Sequence, residues 1–213
     1  MGPVPDDRSR ERFWEGAVGV LSELGVDADR HGEALGRIKA AGLGKDVWHG
    51  LRHCDVDGDN VLLVGDELKL VDFEGSLFGN VLLDVAFLAM AFGHHASVGV
   101  IPPATAARFE SRYFEAVAGN APELAAQGPD DIADAKAWLA IECLGAFFKQ
   151  MDTEKWAPWG GARGRAQAVS QWRVVQTLPR YEPLATDVLE KLAASWGLHE
   201  LLELPVFDGF AAD

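Results

Sequence analysis

The stretch HCDVDGDNVLL (residues 53–63), with LKLVDFE (68–74) shortly after it, decides the fold of this chain. Residues 61–64 and 68–71 are short apolar runs of strand length. Gly65 stands between them at the start of a two-residue connection, and glycine readily takes the positive φ of a type II′ hairpin turn. The pattern therefore predicts a small β-hairpin.

The predicted hairpin brings three oxygen-bearing side chains together. Asp55 and Asn60 lie in the loop before the first strand, and Asp72 follows the second strand. Because the two strands pair, the loop and Asp72 meet at the same end of the hairpin. Two carboxylates and an amide then converge, which is the type of oxygen ligand set that a hard cation such as Mg²⁺ prefers.

The spacing of these residues resembles that of the aminoglycoside phosphotransferase and choline kinase-like families, which have a protein-kinase-like fold. Their catalytic loop reads His-Gly-Asp-Leu-His-x-x-Asn and is followed by Ile-Asp-Phe/Trp-Glu. In LLDVA (82–86), Asp84 matches the structural aspartate that opens the next helix in those families. The other matching positions are His53, Asp55, Asn60, Asp72, Phe73 and Glu74.

The resemblance implies a role for each of these residues. Asp55 is the catalytic residue, which orients and deprotonates an acceptor hydroxyl. Asn60 and Asp72 hold Mg²⁺ against the phosphates of ATP. His53 and Asp84 are structural residues of the catalytic loop. The sequence indicates no substrate-binding residues.

The chain also departs from the family pattern. Cys54 replaces the usual glycine, while Asp57 and Asp59 add negative charge to the loop. Only 52 residues precede the loop, without a Gly-x-Gly-x-x-Gly motif or a Val-Ala-x-Lys strand. We therefore expect the C-terminal lobe only, from about residue 10 onward, with the nucleotide-covering N-lobe absent.

Composition and charge exclude several classes of function. The formal net charge of −14 over 213 residues argues against nucleic-acid binding, which needs a basic face, and it would suit a cationic acceptor. Two cysteines are too few for a disulfide framework. With no apolar signal-peptide core and no apolar run of membrane-spanning length, we expect a cytoplasmic protein without membrane contact.

The rest of the chain predicts a mainly α fold around the hairpin, an α+β class that fits a kinase-like C-lobe. Residues 1–8 form a disordered lead, and 9–213 form one domain, with the catalytic loop and hairpin at 53–74 and a helical remainder at 82–200. Gly75 to Asn80 is expected as an irregular loop, and Gly42 as the end of a helix. The predicted helices span 9–24, 29–41, 82–92, 103–118, 129–151, 166–178 and 183–196.

Three functions remain open. The first is a Mg²⁺- and ATP-dependent phosphotransferase, acting on a small-molecule or peptide hydroxyl once a nucleotide-binding lobe is supplied. The second is a catalytically impaired pseudokinase that binds a ligand, and the third is a module that docks a partner. In each case the open cleft, flanked by Trp48, Leu51, Leu77 and Phe78, should be covered by the N-terminal helices, a homodimer partner or another protein.

Overall fold

The structure, a computed structural model, describes residues 7–43, 49–56, 60–92, 99–122, 128–150 and 162–196. Within these ranges it confirms a mainly helical chain with small antiparallel sheets. None of the helices described there is long and apolar enough to cross a membrane. The helices are α1 (Asp7–Glu23), α2 (Gly32–Leu43), α3 (Leu82–Met90), α4 (Pro103–Ala118), α5 (Pro129–Gln150), α6 (Ala162–Gln176) and α7 (Glu182–Trp196).

The strands of the described residues form three antiparallel pairs: β1 with β4, β2 with β3, and β5 with β6. The predicted hairpin is the second pair, with Val61 opposite Leu70. Gly65 has a φ of +64°, as its turn position requires. The strands are β1 (His49–Arg52), β2 (Val61–Val64), β3 (Glu67–Leu70), β4 (Leu77–Asn80), β5 (Ala91–Phe92) and β6 (Gly99–Val100).

Three of the predicted boundaries are wrong. Residues 77–80 are not irregular but pair with β1, a partner too distant in sequence for local patterning to reveal. The buried helix α3 ends at Met90, because Ala91 and Phe92 turn into the β5–β6 pair. Helix α1 begins at Asp7, two residues before its predicted start at residue 9; residues 1–6 lie outside the described ranges.

Helix α5 is the centre of the hydrophobic core. It packs against α1, α2, α3 and α6, and α6 in turn packs against α7. The ring of Trp138 in α5 stacks on Trp14 in α1 at a centroid distance of 5.7 Å. Because neighbours surround it on several sides, the middle of α5 is mostly buried and apolar, from Ile132 to Leu144.

Gly42 allows α2 to approach α5 closely. We expected this glycine to end the helix, but α2 continues to Leu43. A Cβ atom at position 42 would lie 2.2 Å from the ring of Trp138. The glycine is therefore a packing requirement and not a helix stop.

Candidate functional site

The carboxylate of Asp84 holds the backbone of the predicted catalytic loop. Asp84 lies in the first turn of α3, and its Oδ2 accepts a hydrogen bond from the His53 backbone N–H at 2.6 Å. Its Oδ1 accepts one from the Cys54 backbone N–H at 3.2 Å. The Nε of Arg52 lies 3.4 Å from the same oxygen. One side chain thus satisfies two backbone donors that would otherwise be left without a partner where β1 ends.

His53 connects the loop to the end of the hairpin. Its side chain is buried, with 3% of the residue exposed. Nε2 lies 2.7 Å from the Val71 carbonyl oxygen, which can only accept, so Nε2 carries the proton and donates. The ring meets Phe73 edge to face at 4.6 Å. These contacts of the His53 ring attach the loop to the residues that follow β3.

Two non-glycine residues at the site have a left-handed backbone. Cys54 has a φ of +69°, and Asp72 has a φ of +62°. This conformation brings Cβ too close to the neighbouring carbonyl, at a cost of about 1–2 kcal/mol for an ordinary residue. Position 54 is the one where the resembling families carry glycine. Such strain persists only where the surrounding structure enforces it, as Asp84 does at the Cys54 N–H.

Asn60 lies next to the predicted catalytic carboxylate. Its Nδ2 donates to the Asp55 carbonyl oxygen at 2.9 Å and to the Asp55 carboxylate at 3.0 Å. The backbone carbonyl oxygen of Asn60 accepts a hydrogen bond from the Val71 backbone N–H at 3.0 Å. The side-chain bond fixes the orientation of the Asp55 carboxylate, and the backbone bond joins the loop to the end of β3.

Asp72 follows Val71 directly, one residue beyond the bond between Val71 and Asn60. It is exposed and precedes a short 3₁₀ turn, Phe73–Gly75, without a side-chain capping bond. Chain connectivity places the backbone of Asp72 one residue from the bond between Val71 and Asn60.

The magnesium site stays a prediction. In the part of the chain that the structure describes, no three His, Cys, Asp or Glu side chains are grouped as a metal site. The predicted set has only two such side chains, Asp55 and Asp72, and its third member is the amide of Asn60. Asp57 and Asp59 lie outside the described residues.

The surface beside the loop is apolar and open. Leu51 and Phe78, one from each strand of the β1–β4 pair, are each about half exposed, at 53% and 48%. Helices α1 and α2 pack against α5, and the Ala41 carbonyl oxygen in α2 accepts a hydrogen bond from Asn80 in β4, yet Leu51 and Phe78 remain about half exposed among the described residues. Leu77 is partly buried, and Trp48 lies outside the described residues.

Sequence reasoning missed a cavity next to the loop, and charged side chains form part of its wall. Arg52, at the end of β1, and Glu142, in α5, both line it. Burial raises the pKa of the Glu142 carboxyl, an effect that the nearby Arg52 charge partly opposes. The one signal in the sequence was an acid inside the apolar run Ile141-Glu142-Cys143, a position where an unpaired charge is costly.

Comparison of the chain with protein-family models, with curated protein sequences and with solved structures found no match. What indicates a function is therefore the loop itself: the bonds that Asp84, His53 and Asn60 make, and the exposed residues Asp55 and Asp72. In general, a carboxylate can accept a proton, and carboxylate and amide oxygens are ligands of hard cations.

Proposed function

We propose that this chain is the C-terminal lobe of a protein-kinase-like phosphotransferase. It would transfer phosphate from Mg²⁺-ATP to a hydroxyl when a nucleotide-binding lobe is supplied. The observation that carries the proposal is the Asp84 carboxylate, which accepts hydrogen bonds from the backbone of His53 and Cys54. Phosphoryl transfer depends mainly on positioning, and a loop fixed at its backbone provides it.

Asp55 is the proposed base. Its carboxylate accepts one bond from the Asn60 amide at 3.0 Å and is otherwise on the exposed surface of the loop. An acceptor hydroxyl could approach it there, and the carboxylate would take the hydroxyl proton as the oxygen attacks phosphorus.

Asn60 and Asp72 are the proposed magnesium ligands. An exposed carboxylate and an amide suit a hard cation, because the carboxylate balances its charge and the amide adds an oxygen without further repulsion. Bound Mg²⁺ would supply charge neutralisation at the ATP phosphates. The chain itself would contribute the positions of the two ligands, because the backbone bond between Asn60 and Val71 holds Asn60 beside the residue that precedes Asp72.

Thermal unfolding with and without Mg²⁺-ATP tests this assignment. We expect Mg²⁺-ATP to raise the melting temperature, Asp72→Asn to remove the rise, and Asp55→Asn to spare it largely. Asp66→Asn is the matched control, because Asp66 is an exposed aspartate in the hairpin turn. An equal rise in the wild type and in Asp72→Asn would refute the metal assignment.

A second candidate function, a partner-docking module, is favoured by the hairpin. Val61, Leu63, Leu68 and Leu70 share one face of it, because alternate residues point to the same side and Leu63 lies opposite Leu68. Leu63 is 70% exposed and Leu68 is 73% exposed. A two-stranded sheet with an uncovered apolar face is marginally stable, so a second chain would stabilise it.

Sedimentation over a range of protein concentrations tests docking between two copies. If the hairpin face is a self-association surface, we expect a dimer that the double variant Leu63→Lys, Leu68→Lys dissociates. A strict monomer at all concentrations would argue against the homodimer and leave a different protein as the partner to seek.

A further inference from the structure

The cavity beside the catalytic loop has a volume of about 250 Å³. It lies among the end of β1, α3, α5 and α6, and its polar walls are Arg52, Asp84, Glu142, Gln167 and Gln171. A cavity of about 150 Å³ already accommodates benzene, and drug-sized pockets begin at about 300 Å³. The space therefore suits a molecule of a few non-hydrogen atoms.

Gln171 lines this cavity, and its side chain carries a buried acceptor without a partner. The residue is 2% exposed, and its Oε1 has no hydrogen-bond partner among the described residues. Leaving a buried acceptor without a donor costs about 1–3 kcal/mol. A ligand that donates a hydrogen bond would remove this cost.

The charges of the cavity wall do not balance. Asp84 and Glu142 carry carboxyl groups, whereas Arg52 is the one basic residue among the residues that line the cavity. Arg52 and Asp84 already form an ion pair at 3.4 Å. With Glu142 ionised, the wall carries one negative charge in excess. Burial raises the pKa of the Glu142 carboxyl, and the Arg52 charge and a hydrogen bond from Trp138 oppose this only in part.

We propose that this cavity binds a small organic cation. Its ammonium or guanidinium group would donate to Glu142 and to Gln171 Oε1. Its apolar part would contact Leu77, Phe87 and Leu139, which form the apolar wall. Asp84, which holds the loop backbone, lines this cavity, whereas Asp55, Asn60 and Asp72 do not. It is a second site, and the inference does not rest on phosphoryl transfer.

Three probes of equal chain length separate charge from shape: n-butylammonium, butan-1-ol and butyrate. Each would be titrated into the ¹⁵N-labelled full chain, with the Gln171 side-chain amide as the NMR reporter. We expect saturable shifts at Gln171 with butylammonium, at least about tenfold weaker binding of butanol, and none of butyrate. Equal binding of butylammonium and butanol would overturn the proposal, as would no saturable shift with any probe.

Variants of the protein then identify the side chain whose negative charge attracts butylammonium. Glu142→Gln keeps the shape of the side chain and should weaken butylammonium binding at least about tenfold. Glu190→Gln, the same change at an exposed site in α7, should have no effect and controls for general attraction to an acidic protein. Gln171→Met removes the whole side-chain amide, so binding to this variant is followed at the backbone amide of residue 171; it should be several-fold weaker, even if Glu142→Gln does not fold. Unchanged affinity in Gln171→Met, or in a folded Glu142→Gln, would contradict the assignment.

Discussion

The helical body, made of the packed helices α1 to α7, and the β2–β3 hairpin both contain several leucines, yet the burial of these leucines differs. Leu144 in α5 and Leu184 in α7 are fully buried, whereas Leu63 and Leu68 in the hairpin are mostly exposed. Leucine content therefore does not distinguish the two regions, and the presence of packing partners does. The body completes its own core, and the hairpin presents an apolar face that the described chain does not cover.

The predicted catalytic loop lies between these two regions and is attached to both. Its bond from Asp84 comes from the helical body, whereas the bonds of His53 and Asn60 lead to Val71 at the end of the hairpin. If the body is the rigid support, substitutions on its side should cost more stability than substitutions in the hairpin.

The largest effect is expected for Asp84→Ala. The substitution leaves the backbone donors of His53 and Cys54 without a partner and removes the ion-pair partner of Arg52. We expect a loss of about 3 kcal/mol in the free energy of unfolding, measured by urea denaturation. Asp66→Ala, in the exposed hairpin turn, should change it by less than about 0.5 kcal/mol. Equal stability of the two variants would show that Asp84 does not support the loop.

The next effect tests how tightly the body is packed. Gly42→Ala places a methyl group against the ring of Trp138, and we expect it to destabilise the fold by about 2 kcal/mol. Gly36→Ala is the matched control in the same helix, with no atom within 4 Å of the added Cβ. It should stabilise by about 0.5–1 kcal/mol, since alanine favours helix. Similar denaturation midpoints for both variants would mean that α2 and α5 are not in close contact.

A smaller effect of opposite sign is expected at Cys54. Its positive φ is strained for any residue with a Cβ, so Cys54→Gly should stabilise the chain by about 1 kcal/mol. Cys54→Ala removes the thiol but keeps the Cβ, and it should bring no such gain. The comparison of melting temperatures separates backbone strain from loss of the thiol, and a gain in both variants would point to the thiol instead.

Local sequence patterns were sufficient to predict the helices and the hairpin. The apolar periodicity predicted all seven described helices, with ends displaced by a few residues, and Gly65 marked the hairpin turn. These features depend on neighbours in the sequence. The β1–β4 pair could not be predicted, since it joins residues 49–52 to 77–80 and neither stretch alternates between polar and apolar residues.

The candidate site was predictable only in part, for the same reason. Motif spacing indicated Asp55, Asn60, Asp72 and Asp84, because loop and hairpin are continuous in sequence. Gln171 gave no signal, because its unsatisfied oxygen arises from the packing of α6 beside the end of β1. Contacts between distant elements decide such features, and single-sequence patterns do not contain them.

The smallest effect is expected in the hairpin, and it tests the difference in burial between the hairpin and the helical body. Leu63→Ala removes an apolar side chain that is 70% exposed, so the free energy of unfolding should change by less than about 0.5 kcal/mol. Leu184→Ala removes the same atoms from a fully buried position in α7 and should cost several times more, because it leaves a cavity. Both variants should be unfolded in urea at low protein concentration, where any association is weakest. At high protein concentration, an additional loss of stability in Leu63→Ala, with no such addition in Leu184→Ala, would indicate a second copy on the hairpin face. Equal losses in both variants at low concentration would show that the hairpin is buried within the chain, and the contrast between the two regions would not hold.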